Sequence, residues 1–320
     1  TTTPASRSIP RNIIQNERVS SSVHSGLGLS LPNPVVVGSG LLTDQERNIR
    51  RLLELGAGAV VTKTIHPNPP RGLDERLARV PTGMLNSTTY SKRPVDDWLT
   101  MLRGFSRDDL AVVASIHADT PAELGRLAAA VSQTGCTAIE LGIACINEEF
   151  GSHGDTPERV YAFTQAVRNE TDVPLSVKLG IGRELAALAE AADGAGANML
   201  TLSDTLPGAA IDPKTNSLAL GGVYGYSGPG IKPLVLAAVW QLRESGYRLP
   251  IMASGGAASG RDVIDYLIAG ASAVQVYTVL HKDMADSLTR ILTETTHELS
   301  QVVDTLSLPL GATTAGKERG

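Results

Sequence analysis

Three side chains able to do chemistry stand at the ends of short, β-branched apolar runs. They are Lys63 in "GAVVTKT", Cys145 in "AIELGIAC" and Lys178 in "PLSVKLG". An ammonium in such a run is costly to bury alone, so each lysine needs an anionic or hydrogen-bonding partner. Two chemistries suit it: Schiff-base formation on a desolvated amine, or a fixed cation that stabilises charge on a reduced cofactor or an enolate-like intermediate. A lysine snorkelling to a rim is the plain alternative. Cys145 is open in the same way, since a thiol can be core packing or can exchange a proton with carbon. Other polar or glycine-rich strand ends follow: Gly38-Ser39-Gly40, Thr64, Ser115 with His117, Asn147, Ser203-Asp204, Gly255-Gly256 and Tyr277-Thr278. The glycine pair in "ASGGAASGRD" precedes a helix starting near Ser259, and "VQVYT" runs into another. Freed backbone N–H groups beside a helix N-terminus suit a phosphate, and two adjacent loops agree on it.

These positions must be brought together by the elements that carry them. A strand, loop and amphipathic helix recur eight times, with strands read at 34–40, 58–64, 110–118, 138–145, 174–180, 198–204, 250–256 and 273–278. Nearly continuous apolar runs suit strands covered on both faces of a parallel sheet. Helix starts are marked by Thr43 with Glu46, Thr120-Pro121, Thr156-Pro157 and Ser259; Gly56 and Gly135 mark ends. Eight even units favour an α/β (β/α)8 TIM barrel over a doubly wound open sheet. Catalytic groups of such barrels sit at the C-terminal strand ends. Two stretches, 65–93 and 205–231, exceed the usual connection and are expected over that face. "VSSSVHSGLGLSLPNP" is expected to form a hairpin closing the other end.

The chain has 320 residues, 42% hydrophobic and 19% charged, with a net charge of −5. That balance argues against nucleic acid or an anionic membrane as partner. Two cysteines make neither a disulfide scaffold nor a metal cluster; Cys136 reads as core. No membrane span and no signal peptide is read, so a cytoplasmic protein is expected. The expected organisation is a mobile arm at 1–25, one barrel domain at 26–305 and a tail at 306–320. Asp204 and the pair Glu148-Glu149 supply no coherent ligand set, so no metal is expected. His66 is expected to fix the second loop; His117 could face a ligand or be structural.

The stretches "NPVVVGSG", "GAGAVVTKT", "NPPR", "LNS", "VKLG", "IDP", "GIKP", "SGGAASGRD" and "GASAVQVYTVLHK" follow in the order and spacing of the dihydroorotate dehydrogenases. The resemblance covers about residues 30–290 and is nearest the soluble, fumarate-linked class. It implies an FMN-binding TIM barrel, a homodimer, and oxidation of a small molecule by proton removal and hydride transfer to the flavin. Gly38, Ser39, Gly40, Lys63, Thr64, Ser115, Lys178 and Ser203 would then lie along the flavin. Gly228, Gly255, Gly256, Tyr277 and Thr278 would surround its phosphate, with Tyr277 where the family favours glycine. Asn86 and Asn147 would hold the substrate ring beside Ser203 and Asp204. Cys145 would be the base.

The chain also departs from that pattern. The family's Asn-x-Ser-Cys-Pro-Asn reads Gly142-Ile143-Ala144-Cys145-Ile146-Asn147, an Asn-Ser pair reads Ser203-Asp204, and "NSTTYSK" replaces a related segment. Each buried polar partner left unmatched costs about 1–3 kcal/mol, so two lost amides weaken orotate recognition roughly hundredfold. Asp204 would also repel a substrate carboxylate. The expectation is therefore an FMN oxidoreductase acting on a C–C bond beside a carbonyl of another small molecule. The alternatives are an authentic dihydroorotate dehydrogenase, a Schiff-base lyase, or a non-catalytic flavin-binding protein.

Overall fold

A computed structural model describes residues 23–24, 29–70, 72, 74–143, 145, 147 and 155–307, with backbone alone at 23–24 and 302–307. Glu148-Glu149 and most of the expected arm and tail lie outside the described residues. A short hairpin, β1 (Val23–His24) and β2 (Ser30–Leu31), precedes β3 (Val35–Val37), α1 (Glu46–Glu54) and β4 (Ala59–Val61). The first long excursion holds β5 (Leu77–Val80) and β6 (Gly83–Asn86) and leads to α2 (Val95–Arg107). Then come β7 (Val112–Ile116), α3 (Pro121–Ser132), β8 (Ala138–Gly142), α4 (Pro157–Arg168), β9 (Leu175–Leu179), α5 (Leu185–Gly194) and β10 (Met199–Leu202). The second excursion carries β11 (Leu206–Gly208), β12 (Ile211–Asp212), β13 (Ser217–Leu218) and β14 (Tyr224–Ser227). The last described elements are α6 (Lys232–Glu244), β15 (Ile251–Ser254), α7 (Gly260–Ala269), β16 (Ala273–Val276) and α8 (Met284–Ser307).

Strands β3, β4, β7, β8, β9, β10, β15 and β16 pair in parallel in that order and close on β3. Each expected strand is present, though shorter, because the last residues of each run turn out of the ladder to face the cleft. The outward faces of these strands pack on the helices, as in α1, which buries Ile49 and Leu52. Inside the barrel, alternation along each strand sets two layers. At the base, Leu29 and Leu31 of the hairpin segment seal against Val113, Ala138, Met199, Met252 and Ala273. Two residues further along four of these strands, the inward positions are polar and buried: Ser115, Glu140, Thr201 and Gln275. The base excludes water, and the polar layer forms a floor beneath the mouth.

Three of the helix starts are as read, with the Thr120, Thr156 and Ser259 hydroxyls accepting from the N–H three residues on. Thr43 differs. Its side chain bonds both the N–H and the C=O of Gly40 and so closes a 3-10 turn over Leu41–Asp44, leaving α1 to begin after Gln45. The two long excursions are not independent loops: they form one antiparallel sheet, β11-β14-β6-β5, across the mouth, with Gly225 opposite Asn86.

Candidate active site

Lys63 leaves β4 into a buried position, 5% exposed, where its Nζ donates to Thr88 Oγ1 at 3.3 Å. Burial pushes its ammonium pKa down, against the pull of Glu75, Cys145 and Asp44. Beside it a chain of hydroxyls links Ser39 to Thr64 (3.4 Å) and Thr64 to Ser115 (2.9 Å). Lys178, from β9, faces Asp204, its Nζ 3.6 Å from Oδ1. Burial alone would lower this ammonium too, but Asp204 and Glu140 outweigh it and hold the pKa above the usual value. Both lysines thus have the partners that their apolar strands demanded. Ser203 follows a cis peptide bond, and its N–H and hydroxyl both donate to Ser254 O, at 2.7 and 3.2 Å.

On the opposite side, backbone replaces side chains. Gly228, Gly255 and Gly256 have φ of 104°, 142° and 77°. A Cβ on Gly256 would stand 2.7 Å from Lys232 N and 2.9 Å from Gly228 O, so only glycine lets these loops meet. Thr278 Oγ1 donates to Ser227 Oγ at 2.9 Å, joining the last loop to β14. Tyr277 turns away from these glycines. Its ring lies on Gly40, where even a methyl would collide with it, and its hydroxyl accepts from Leu42 N–H at 3.0 Å. Burial raises the phenol's pKa well above its usual value, so it stays neutral.

The third side is the lid. Asn147 donates to Asn86 Oδ1 (3.1 Å) and Thr88 O (2.7 Å), and its own Oδ1 accepts from Gly225 N–H (2.8 Å). Asn86 in turn donates to Gly225 O (3.1 Å). The two asparagines expected on a substrate ring are therefore already engaged with each other and with β14. Cys145, two residues before Asn147, is a half-buried thiol on the same cleft. Cys136 is buried in the helix-facing core, and burial pushes its thiol up to about 11, which suits an inert packing role. His66 stacks on Tyr90 (4.5 Å) and Tyr90 on His117 (4.9 Å). His117 Nδ1 donates to Gly142 O at 2.8 Å, at the start of the loop bearing Cys145. Among the described residues, His66, His117 and Asp119 bring possible metal-ligand atoms within 4.8 Å of one another. His66 Nδ1 accepts from Asn68 N–H (3.0 Å), which ties the ring to the start of the second loop, and its Nε2 lies 3.4 Å from Asp119 Oδ1.

Every site residue named from the sequence lines this one cleft, which holds about 1270 Å³ of empty space with its open mouth included. The sequence reading missed Thr88, Thr205, Ser227 and Gln275, which line it too, and Glu140 beneath. Only Glu140 carried a signal, a charged residue inside an otherwise apolar strand run.

A family model described as dihydroorotate dehydrogenase matches residues 23–299. Three relatives named "Dihydroorotate dehydrogenase B (NAD(+)), catalytic subunit" show the extent of similarity. The Methanopyrus kandleri protein is 37% identical over 86% of this chain and 90% of its own length. The Thermococcus kodakarensis protein is 35% identical over 79% and 84%, and that of Pyrococcus furiosus 34% over 83% and 92%. These names point to the NAD(+)-linked B enzymes where the motifs suggested the fumarate-linked class, and they give the expectation of a different substrate no support. No helix among the described residues is long and apolar enough to cross a membrane. The match over nearly the whole barrel, with the cysteine, both lysines and the glycine loops gathered on one cleft, makes this chain a member of the dihydroorotate dehydrogenase family, FMN-dependent oxidoreductases that act on CH–CH groups.

Proposed function

We propose that this chain oxidises dihydroorotate to orotate, with FMN in the cleft and Cys145 as the base. The observation that carries the reading is the place of Cys145: a half-buried thiol between the lid, the buried Lys63 and the half-buried Lys178, on the cleft that the glycine loops border. The residues present fit the cofactor. Gly228, Gly255 and Gly256 form a backbone cradle with no room for side chains, as a phosphate requires. The buried Gln275 Oε1, without a hydrogen-bond partner among the described residues, borders the same cleft and is available to a ring donor. When bound, FMN supplies a hydride acceptor at N5. Cys145, as thiolate, takes the proton from the carbon adjacent to the one that gives up hydride, and the electron pair left behind closes the C=C bond. Lys63 and Lys178 supply positive charge where electron density accumulates. The charge of Asp204 is offset by Lys178 and by the Thr205 N–H at 2.7 Å, so it does not stand bare against a substrate carboxylate. The relatives are by name catalytic subunits, which supports a companion subunit as the electron outlet.

The test is anaerobic reduction of the bound flavin by dihydroorotate. Wild-type protein should bleach rapidly, and Cys145→Ala should keep its FMN but bleach at least a hundredfold more slowly, the usual span of general-base loss. An FMN-loaded wild-type protein that dihydroorotate leaves oxidised would refute the substrate, and an undiminished Cys145→Ala rate would refute the base.

A further inference from the structure

Lys178 stands between two carboxylates. At the cleft, Asp204 Oδ1 lies 3.6 Å from its Nζ and is fixed by Thr205 N–H. From within the barrel comes Glu140, on the adjacent strand, where Gly142 pairs with Lys178 and Glu140 with Ser176. Glu140 is fully buried. One of its oxygens accepts from Thr201 Oγ1 (2.9 Å) and Gln275 Nε2 (2.7 Å), while the other has no hydrogen-bond partner among the described residues. Those donors are neutral, so they solvate Glu140 without cancelling its charge. Against desolvation, both carboxylates, with Cys145 beside them, draw the Lys178 pKa upward.

A lone lysine beside a flavin offers it a full positive charge and favours the reduced, more negative form. Here that charge is shared. We propose that Asp204, backed by Glu140, is a positioning residue that acts through Lys178 to hold down the reduction potential of the bound FMN. A low potential suits an enzyme whose electrons must reach a weak oxidant such as a nicotinamide. The inference rests on the FMN reading above and adds what sets the cofactor's electron affinity.

The experiment uses the full chain loaded with FMN. Two quantities are read: the midpoint potential by dye equilibration, and the dissociation constant of sulfite, whose addition to flavin is favoured by nearby positive charge. Asp204→Asn removes the charge at constant shape and should tighten sulfite about tenfold and raise the potential by about 30 mV, the two-electron equivalent of tenfold. Glu140→Gln should shift both in the same direction, by a smaller factor. In a Lys178→Gln background the Asp204→Asn effect should fall below twofold. An unchanged potential in both single variants overturns the proposal. So does an equal Asp204→Asn shift with and without Lys178, since the carboxylate would then act on the flavin directly. If Lys178→Gln releases FMN, the two single variants still decide. A wild-type protein that binds no FMN overturns this inference together with the reading beneath it, and is distinguished by its lack of a flavin spectrum.

Discussion

Asn147→Ala should open the lid without unfolding the barrel. Asn147 joins the loop of Cys145 to both excursions through three hydrogen bonds, at 3.1 Å to Asn86, 2.7 Å to Thr88 and 2.8 Å from Gly225. Each such bond is worth about 1 kcal/mol net. Water at the half-exposed rim recovers part of the loss, leaving about 2–3 kcal/mol. At 1.4 kcal/mol per decade, the open population rises roughly 30- to 140-fold. Hydrogen exchange reads this directly at the Gly225 amide, whose acceptor is removed, and rates there should rise by that factor. Amides of β7 and β8, in the barrel wall, should keep their wild-type rates. Asn147→Asp tests the geometry further. It retains an acceptor for Gly225 N–H but sets a carboxylate oxygen against Asn86 Oδ1 and Thr88 O, so it should be no better than alanine. Unchanged protection of Gly225 in Asn147→Ala would refute the argument that this side chain holds the lid.

Two further outcomes follow from the glycine loops and the helix they lead to. Gly256→Ala places a methyl against the Lys232 and Gly228 backbone at a positive φ, a strain of about 1–2 kcal/mol before any clash. FMN affinity measured by fluorescence titration should fall at least tenfold, whereas Gly246→Ala, equally strained but with open space around it, should leave affinity unaltered; equal affinities would refute the cradle. Asp262 accepts from Lys232, Ala258 N–H and Ser259, and these hold its pKa below the usual value against the opposing effect of burial. Because the folded pKa is depressed, its stabilisation is complete above the ordinary aspartate pKa of about 3.9 and is lost as pH falls through the lower folded value. Asp262→Asn should therefore cost about 1–3 kcal/mol in urea unfolding at pH 7, and the gap to wild type should narrow below pH 4; a gap that does not depend on pH would contradict the ion pair.

The barrel was legible because each of its strands is buried on both faces and so writes an unbroken apolar run. Its cleft was legible because residues that cannot lie unpaired in such runs, Lys63 and Lys178, stand at their ends. The partners were not legible. Thr88 reaches Lys63 from a segment whose path over the mouth depends on pairing between β6 and β14, strands that carry glycine and polar residues with no clear alternation, while Asp204 is set against Lys178 by the turn that follows β10. The asparagines show the same limit: a motif can assign Asn86 and Asn147 to a ligand, but not reveal that each is the other's partner. Asp204 shows a related limit. Taken alone it is a charge that repels a carboxylate, and only the fold sets it 3.6 Å from Lys178. A tyrosine at a position where the family favours glycine does not reveal its direction either: the ring of Tyr277 lies on Gly40.

The polar floor of the barrel has a bearing on how this protein can change. Glu140, Ser176, Thr201 and Gln275 come from four strands yet share one set of hydrogen bonds, through Ser176–Thr201, Thr201–Glu140 and Gln275–Glu140. Replacing Glu140 by an apolar residue removes the acceptor that Thr201 and Gln275 share and strands the Gln275 amide, and replacing Thr201 or Gln275 first leaves the carboxylate less well solvated. Every single step out of this arrangement is uphill, while changing several members at once need not be. The alanines and methionines of the base, by contrast, are free to exchange one at a time for residues of similar volume. Sequence drift in descendants of this chain should therefore accumulate at the bottom of the barrel and move across its floor only in concerted jumps.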